Sequence, residues 1–368
     1  MANTFLTTQE IAREALIRLR ENQVMARLVH TDYSNEFGSK GDTINVRKPA
    51  VFTANEFTST ISAQDVSESS VAVALDKIAD VSVAITSKQM TLNIEDFGTQ
   101  VLDGAMNAIA QKIDSDLHAL HVDIPYSFGT AGTTPDALSD LAGARKILQD
   151  NKVPATMRNL VMDTSAEAEF LALDAVVNAD KSGSTAALRD ANLGRLMGFD
   201  VYASQNVADF TTTITAAATP LTAGVTAAGA TTINIDSASS LTGVVAKGTI
   251  IQIGAYEFVA TANATAASNA VAVPVYPAVP AEIADNTAVT FIGSHTANLA
   301  FHKNAFAFVN RPMALPSGGA DGYQTSFEGL SIRVTQDYSI STKTETMSFD
   351  ILYGVKTLYP ELAGKLLG

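Results

Sequence analysis

From about Gln205 to His295 the chain changes character. The stretch is dominated by Ala, Thr and Val, and it holds one basic residue, Lys247, against five acidic ones: Asp209, Asp236, Glu257, Glu282 and Asp285. Short alternating runs recur at Thr231–Ile235, Gly248–Ile253, Tyr256–Ala260, Val271–Val275 and Ala288–Ile292, punctuated by Gly, Asn and Pro. Period-two alternation with turn residues between the runs is the pattern of a small all-β module. Mixed patterning lies on both sides of it, so the spacing predicts a β module inserted into a surface loop of a host domain. The host sheet must then be assembled from segments far apart in sequence.

The host segments are readable in turn. Thr7 or Thr8 can cap a first helix in which Ile11, Ala15, Leu16 and Leu19 form an apolar stripe opposite Arg13, Arg18 and Arg20. A lone amphipathic helix of this length is marginal, so it needs a partner surface. Asp42–Pro49, Val71–Leu75 and Val81–Ile85 alternate as strands around a polar stretch from Phe52 to Ser70. They read as an extended β-hairpin arm with too little apolar surface for a core of its own. The strongest helix runs from Glu95 to His121. Phe97, Val101, Ala105, Ile109, Ile113 and Leu117 step by four along it, and Leu102, Met106 and Leu120 widen the stripe. At 1.5 Å per residue it would be roughly 35–40 Å long. A helix over Pro135–Asn151, a strand at Asn159–Met162 and a helix opening near Thr164, with Glu167 as capping-box partner, follow. Strands at Ala305–Asn310, Leu330–Asp337 and Thr346–Lys356 are expected to complete the host sheet.

At 368 residues, two or three domains are expected. A formal net charge of −14 argues against broad binding to nucleic-acid phosphates, which a basic face normally drives. With no cysteine, disulfides, thiolate catalysis and cysteine-ligated metals are excluded. The start, MANTFLTTQE, lacks the basic and apolar segments of a signal peptide, and no apolar run approaches the roughly 20 residues of a membrane helix; the compartment is expected to be cytosolic.

No constellation carries catalytic chemistry, so no catalytic, cofactor or metal residues are expected. His118 and His121, with Asp114 and Asp116, have partial metal-ligand spacing, but as a group at a helix end they read as a solvated terminus. Gly183–Gly198 lacks the lysine of a phosphate-binding loop and reads as a flexible lead into a strand at Phe199–Ala203. Asn263-Ala264-Thr265 is a glycosylation sequon without a secretion signal. Gly318, Gly319, Asp321 and Gly322 read as a turn-rich loop rather than a calcium loop.

Extended wording then points to a family. "IAREALIRLRENQVMARLVHTDYSNEF" followed by "GDTINVRKP" resembles the start of P22-like podovirus coat proteins. "NLAFHKNAFAFVNRPM" and "DYSISTKTETMSFDILYGVKTLYPELAGKLL" resemble that family's closing segments. The resemblance implies an α+β, HK97-like phage capsid fold. It assigns 1–41 to an N-arm, 42–94 to an extended loop reaching a neighbouring subunit, and 95–154 to a peripheral domain with a spine helix. Residues 155–204 and 297–368 would supply the axial domain and C-terminal peripheral strands, with 205–296 as an inserted β domain. It implies a major capsid protein forming hexameric and pentameric capsomers around double-stranded DNA, without sequence-specific binding, cofactor or membrane. Scaffolding protein, portal and a decoration protein would be partners, and assembly would occur in the host cytoplasm. An encapsulin-like nanocompartment is the alternative, since it would carry the same fold without an outer module.

Overall fold

The computed structural model describes residues 8–31, 43–48, 69–86, 102–183, 185–316, 321–327 and 330–368. The chain forms two compact units: Met1–Gln23, His30–Lys112 and Ala307–Leu358 make the first, and Val24–Val29, Ile113–Phe306 and Tyr359–Gly368 the second.

In the first unit, helix α1 (Thr8–Asn22) forms where the stripe places it, and Ile11, Ala12, Ala15, Leu16 and Leu19 are all buried. Arg18 ties the helix to Asp103 and to Glu14 one turn back. The arm is present as β1 (Thr43–Lys48) antiparallel to β2 (Ser69–Ala74), in register from Thr43 opposite Ala74 to Lys48 opposite Ser69. The polar stretch that joins them lies outside the described residues. β3 (Lys77–Thr86) follows directly.

Helix α2 is Asp103–His118, continued by a 3-10 turn over Ala119–Asp123. Leu102, Ala105, Met106, Ile109, Ile113 and Leu117 are buried, as the step of four requires, whereas Leu120 is only half-buried. The expected positions before residue 102, Phe97 and Val101 among them, lie outside the described residues.

The second unit is built on a mixed sheet of distant segments: β4 (Ser127–Phe128), β5 (Arg158–Met162), β6 (Arg195–Leu196), β7 (Phe199–Ala203), β8 (Asp209–Phe210), β19 (His295–His302) and β24 (Ala363–Leu367). Its order is β4-β24-β19-β5-β7-β6, with β8 pairing the start of β19. β5 and β7 run parallel and β19 is antiparallel to both its long neighbours. β5 and β24 are buried at every residue, as expected of strands covered on both faces. Helices α3 (Leu138–Asp150) and α4 (Thr164–Ala172) cover this sheet, putting Leu141, Leu148 and Phe170 against Leu160, Phe199 and Leu366.

One expected helix start is displaced, and a second keeps its place near Thr164 with a different cap. α3 opens three residues past Pro135, with the Asp140 carboxylate accepting the Ala137 N–H. α4 is capped by Asp163, whose carboxylate accepts the Ser165 N–H at 3.1 Å, rather than by a box with Glu167.

Between β8 and β19 lies the Ala/Thr/Val-rich stretch. Its main sheet has the order β10 (Leu221–Thr222), β11 (Thr232–Asp236), β17 (Ala270–Tyr276), β15 (Tyr256–Ala260), β14 (Ile250–Ile253) and β18 (Val289–Phe291). Two short ladders pair β9 (Thr215–Ala216) with β12 (Leu241–Thr242), and β13 (Val244–Val245) with β16 (Ala264–Thr265). The alternation read from the sequence is real in space: Ile233, Ile235, Val271, Val273 and Val275 point into one core with Ile251, Ile253, Phe258 and Val289.

The C-terminal strands differ from expectation. β20 (Phe306–Arg311), β21 (Asp321–Phe327), β22 (Leu330–Ser339) and β23 (Thr344–Thr357) do not complete the host sheet; they form a separate sheet in the first unit. Its order is β20-β23-β22-β21, and β3 pairs β23 from Lys77 opposite Tyr353 to Thr86 opposite Thr344. Alternation marks a strand but not its partner, and β24 took the place those strands were expected to fill.

Candidate functional site

The first candidate surface is the arm. In the β1–β2 hairpin, Val46 and Val73 are buried on one face while Thr43, Asn45, Ser70 and Ala72 are exposed. One residue fixes how the chain leaves it. A Cβ on Gly354 in β23 would stand 1.9 Å from the Ala74 carbonyl oxygen, so only glycine lets the end of β2 lie against that strand.

The helix-end group expected to be solvated is instead buried. Asp114 is 1% exposed, and its carboxylate accepts the Val24 N–H at 2.9 Å and the Met25 N–H at 3.2 Å, fixing the turn that follows α1. Burial lifts this carboxyl to about 6, against the backbone donors that favour its charge. His118 and His121 are 0% and 4% exposed, and burial drives each down to about 4. The burial follows from position, since 118 and 121 continue the apolar face of α2 into the 3-10 turn. Asp116 is half-buried. Among the described residues no three His, Asp or Glu side chains gather in a metal-binding cluster.

The remaining sequence candidates sort into local roles. Gly194 and Gly198 adopt positive φ around β6 and lead into β7. The Asn263 side chain accepts the Lys247 N–H at 2.7 Å and closes a turn. Gly318 and Gly319 lie outside the described residues, while Asp321 and Gly322 belong to β21, opposite Gln336 and Thr335, rather than to a loop.

A polar seam that no sequence pattern announces joins the inserted strands to the host sheet. Glu257 on β15 accepts the N–H of Ser127, at the sheet-edge strand β4, at 2.8 Å. Tyr276 on β17 donates to Glu361, and Lys247 pairs with Asp123 at 2.8 Å. A Cβ on Gly248 would meet Val122 at 2.7 Å, so the module sits tightly on the 3-10 turn. Beneath the seam Lys365 is 0% exposed, its Nζ has no hydrogen-bond partner, and burial lowers it to about 7. Its one trace in the sequence is that Lys365 is the lone charge in an otherwise apolar strand, AGKLL.

Comparison with known proteins sets these features in a class. Residues 240–368 match the family described as P22 coat protein, gene protein 5. That span includes the second half of the inserted module, beyond the segments that carry the resemblance in wording, and leaves out the N-terminal ones. None of the curated proteins matches the chain in sequence.

Among solved structures, that of Mycobacterium phage Che8 has a TM-score of 0.53 at 15% identity, over 94% of this chain and 90% of that one. The capsid of cyanophage P-SCSP1u has a TM-score of 0.49 at 13% identity, over 89% and 84%. The capsid of an empty GTA particle has 0.48 at 9%, over 100% and 92%. The α+β architecture is thus the HK97-like fold. The chain is similar in its fold to phage capsid proteins, and over residues 240–368 in its sequence to a phage coat-protein family.

Proposed function

We propose that the subunit works by self-association alone, forming hexameric and pentameric capsomers that enclose double-stranded DNA and performing no catalytic step. The observation that carries this reading is the β1–β2 arm, a paired hairpin in which Val46 and Val73 are the only buried residues among those described. Such a hairpin gains most of its stability from a surface supplied by something else. A neighbouring subunit related by the symmetry of a closed shell is that surface, through a heterologous contact repeated around each capsomer. Folding of the arm is then linked to assembly by mass action.

Residues 42–94 act as the extended loop in this reading and 205–296 as the inserted domain. Scaffolding and portal proteins guide closure in the host cytoplasm, and a decoration protein is a candidate outer ligand of the inserted module. The net charge of −14 suits a wall that packed DNA does not adhere to. The coat-protein match favours this reading over an encapsulin-like compartment.

Deleting residues 43–74, which removes β1 and β2 but leaves β3 in its sheet, tests the role of the arm. A soluble subunit that sediments only as monomers or isolated capsomers is expected, because α1 and the two sheets keep their cores. Shells of normal yield and size from the deleted chain would refute the assignment.

A further inference from the structure

The two chain crossings between host sheet and inserted module meet at one buried cluster. The outgoing strand β8 carries Phe210, and the returning strand β19 carries His295 directly opposite it. The Phe210 ring stands edge-on to His121 at 6.1 Å between centroids and lies 5.3 Å from His295.

Each imidazole is held through Nδ1, His121 by the His118 carbonyl at 3.0 Å and His295 by the Gly293 carbonyl at 2.8 Å. A carbonyl can only accept, so both Nδ1 atoms carry the proton and both Nε2 atoms present bare lone pairs. Those two Nε2 atoms and the Lys365 Nζ are buried without a hydrogen-bond partner. The three groups feel one another electrostatically, as does His118 from its place beside His121.

The acids nearby are already engaged. Glu257 holds the Ser127 N–H, Asp123 holds Lys247, and Asp209, which acts on His295, accepts the Thr296 hydroxyl at 2.7 Å. A proton added to His121 is opposed by Lys365 and His295, and one added to His295 is opposed by Lys365 and favoured by Asp209.

We propose that His121 and His295 form an acid-operated latch at the root of the inserted module. Neutral, they pack around Phe210 and hold the crossing strands together. Protonated, they become buried like charges beside Lys365, and the root opens. The module has its own apolar core, separate from that of the host sheet, so opening is confined to the crossings. This inference does not depend on shell assembly.

The test is amide hydrogen exchange on the full chain from pH 7 to pH 4, corrected for the intrinsic rate at each pH, with imidazole 15N NMR of the five histidines. Protection of amides 208–212 and 293–297 should fall at least tenfold, while β11, β14 and β17 keep theirs. The 15N shifts should show Nδ1–H tautomers for His121 and His295 at neutral pH, with titration coinciding with the opening. The double variant His121→Asn/His295→Asn keeps a donor for each carbonyl but cannot titrate, and should stay closed to pH 4. Opening that persists in that variant would assign the effect to the seam carboxylates and overturn the latch. Should the variant not fold, the unaltered chain decides: imidazoles that titrate near their ordinary value with no local loss of protection, or loss spread evenly over module and host, overturn it equally.

Discussion

His118 shows what burial costs a single side chain. Neither ring nitrogen has a hydrogen-bond partner, and the folded chain keeps the ring neutral down to about 4, against an ordinary value of 6.5. The unfolded imidazole binds a proton below 6.5 while the folded one does not, so stability falls as pH drops from 6.5 towards 4. Asp114 acts in the opposite sense: its folded carboxyl protonates near 6, before the unfolded one, and offsets part of the loss. His118→Leu removes the larger contribution. Each tenfold difference in proton affinity between folded and unfolded chain is worth roughly 1.4 kcal/mol. Urea unfolding at pH 7 and pH 5 should therefore show the native chain losing about 2 kcal/mol on acidification, with a smaller loss in the variant, where His121, also held near 4, still contributes. Lys365 makes the same point for an amine. Replacing it by Met removes a buried group that must shed its proton to fold, and should raise stability at pH 8 by about 1–3 kcal/mol. A lower thermal midpoint for Lys365→Met would show that the Nζ makes an attraction its surroundings do not reveal.

Among the elements, the three-strand ladder β22–β23–β3 is braced by one ion pair. Arg333 reaches the Asp350 carboxylate through Nε at 3.0 Å and Nη2 at 2.5 Å, and holds the Ala314 carbonyl at 2.7 Å with Nη1. The Ser348 hydroxyl lies within hydrogen-bonding distance of both Asp350 and Asp80, linking the pair to β3. Arg333→Met leaves the Asp350 charge largely buried and should cost about 3 kcal/mol, read from the urea midpoint at pH 7. Adding Asp350→Leu should recover most of it, and a double variant as unstable as the single one would show that packing, not charge, is lost.

Elements of this kind were legible in the sequence to the extent that their own periodicity reports them. The stripe on α1, the step of four in α2 and the alternation in β11, β15 and β17 are local properties. Pairing is not: nothing in Thr346–Lys356 says that its neighbours are β22 and β3 rather than β19. The burial of His118 and His121 was missed because they read as a polar helix end, although their spacing continues the buried face. Lys365 and Glu257 are brought near each other by folding across more than a hundred residues, so no spacing could announce the seam.

At the scale of the whole molecule, a discontinuous host sheet, a separate sheet built on β20–β23 and β3, a β module between β8 and β19 and a hairpin arm form a coherent set. Together they supply surfaces that symmetry can repeat. The β module adds a body with its own core, fastened by hydrogen bonds and an ion pair rather than by two strands alone. The central claim is that this chain closes into a shell with copies of itself. Expressing it with and without a co-expressed scaffolding protein and imaging the product by electron microscopy tests that claim most directly. Icosahedral particles, or hexameric and pentameric capsomers, are the predicted result; monodisperse monomers under every condition would contradict it.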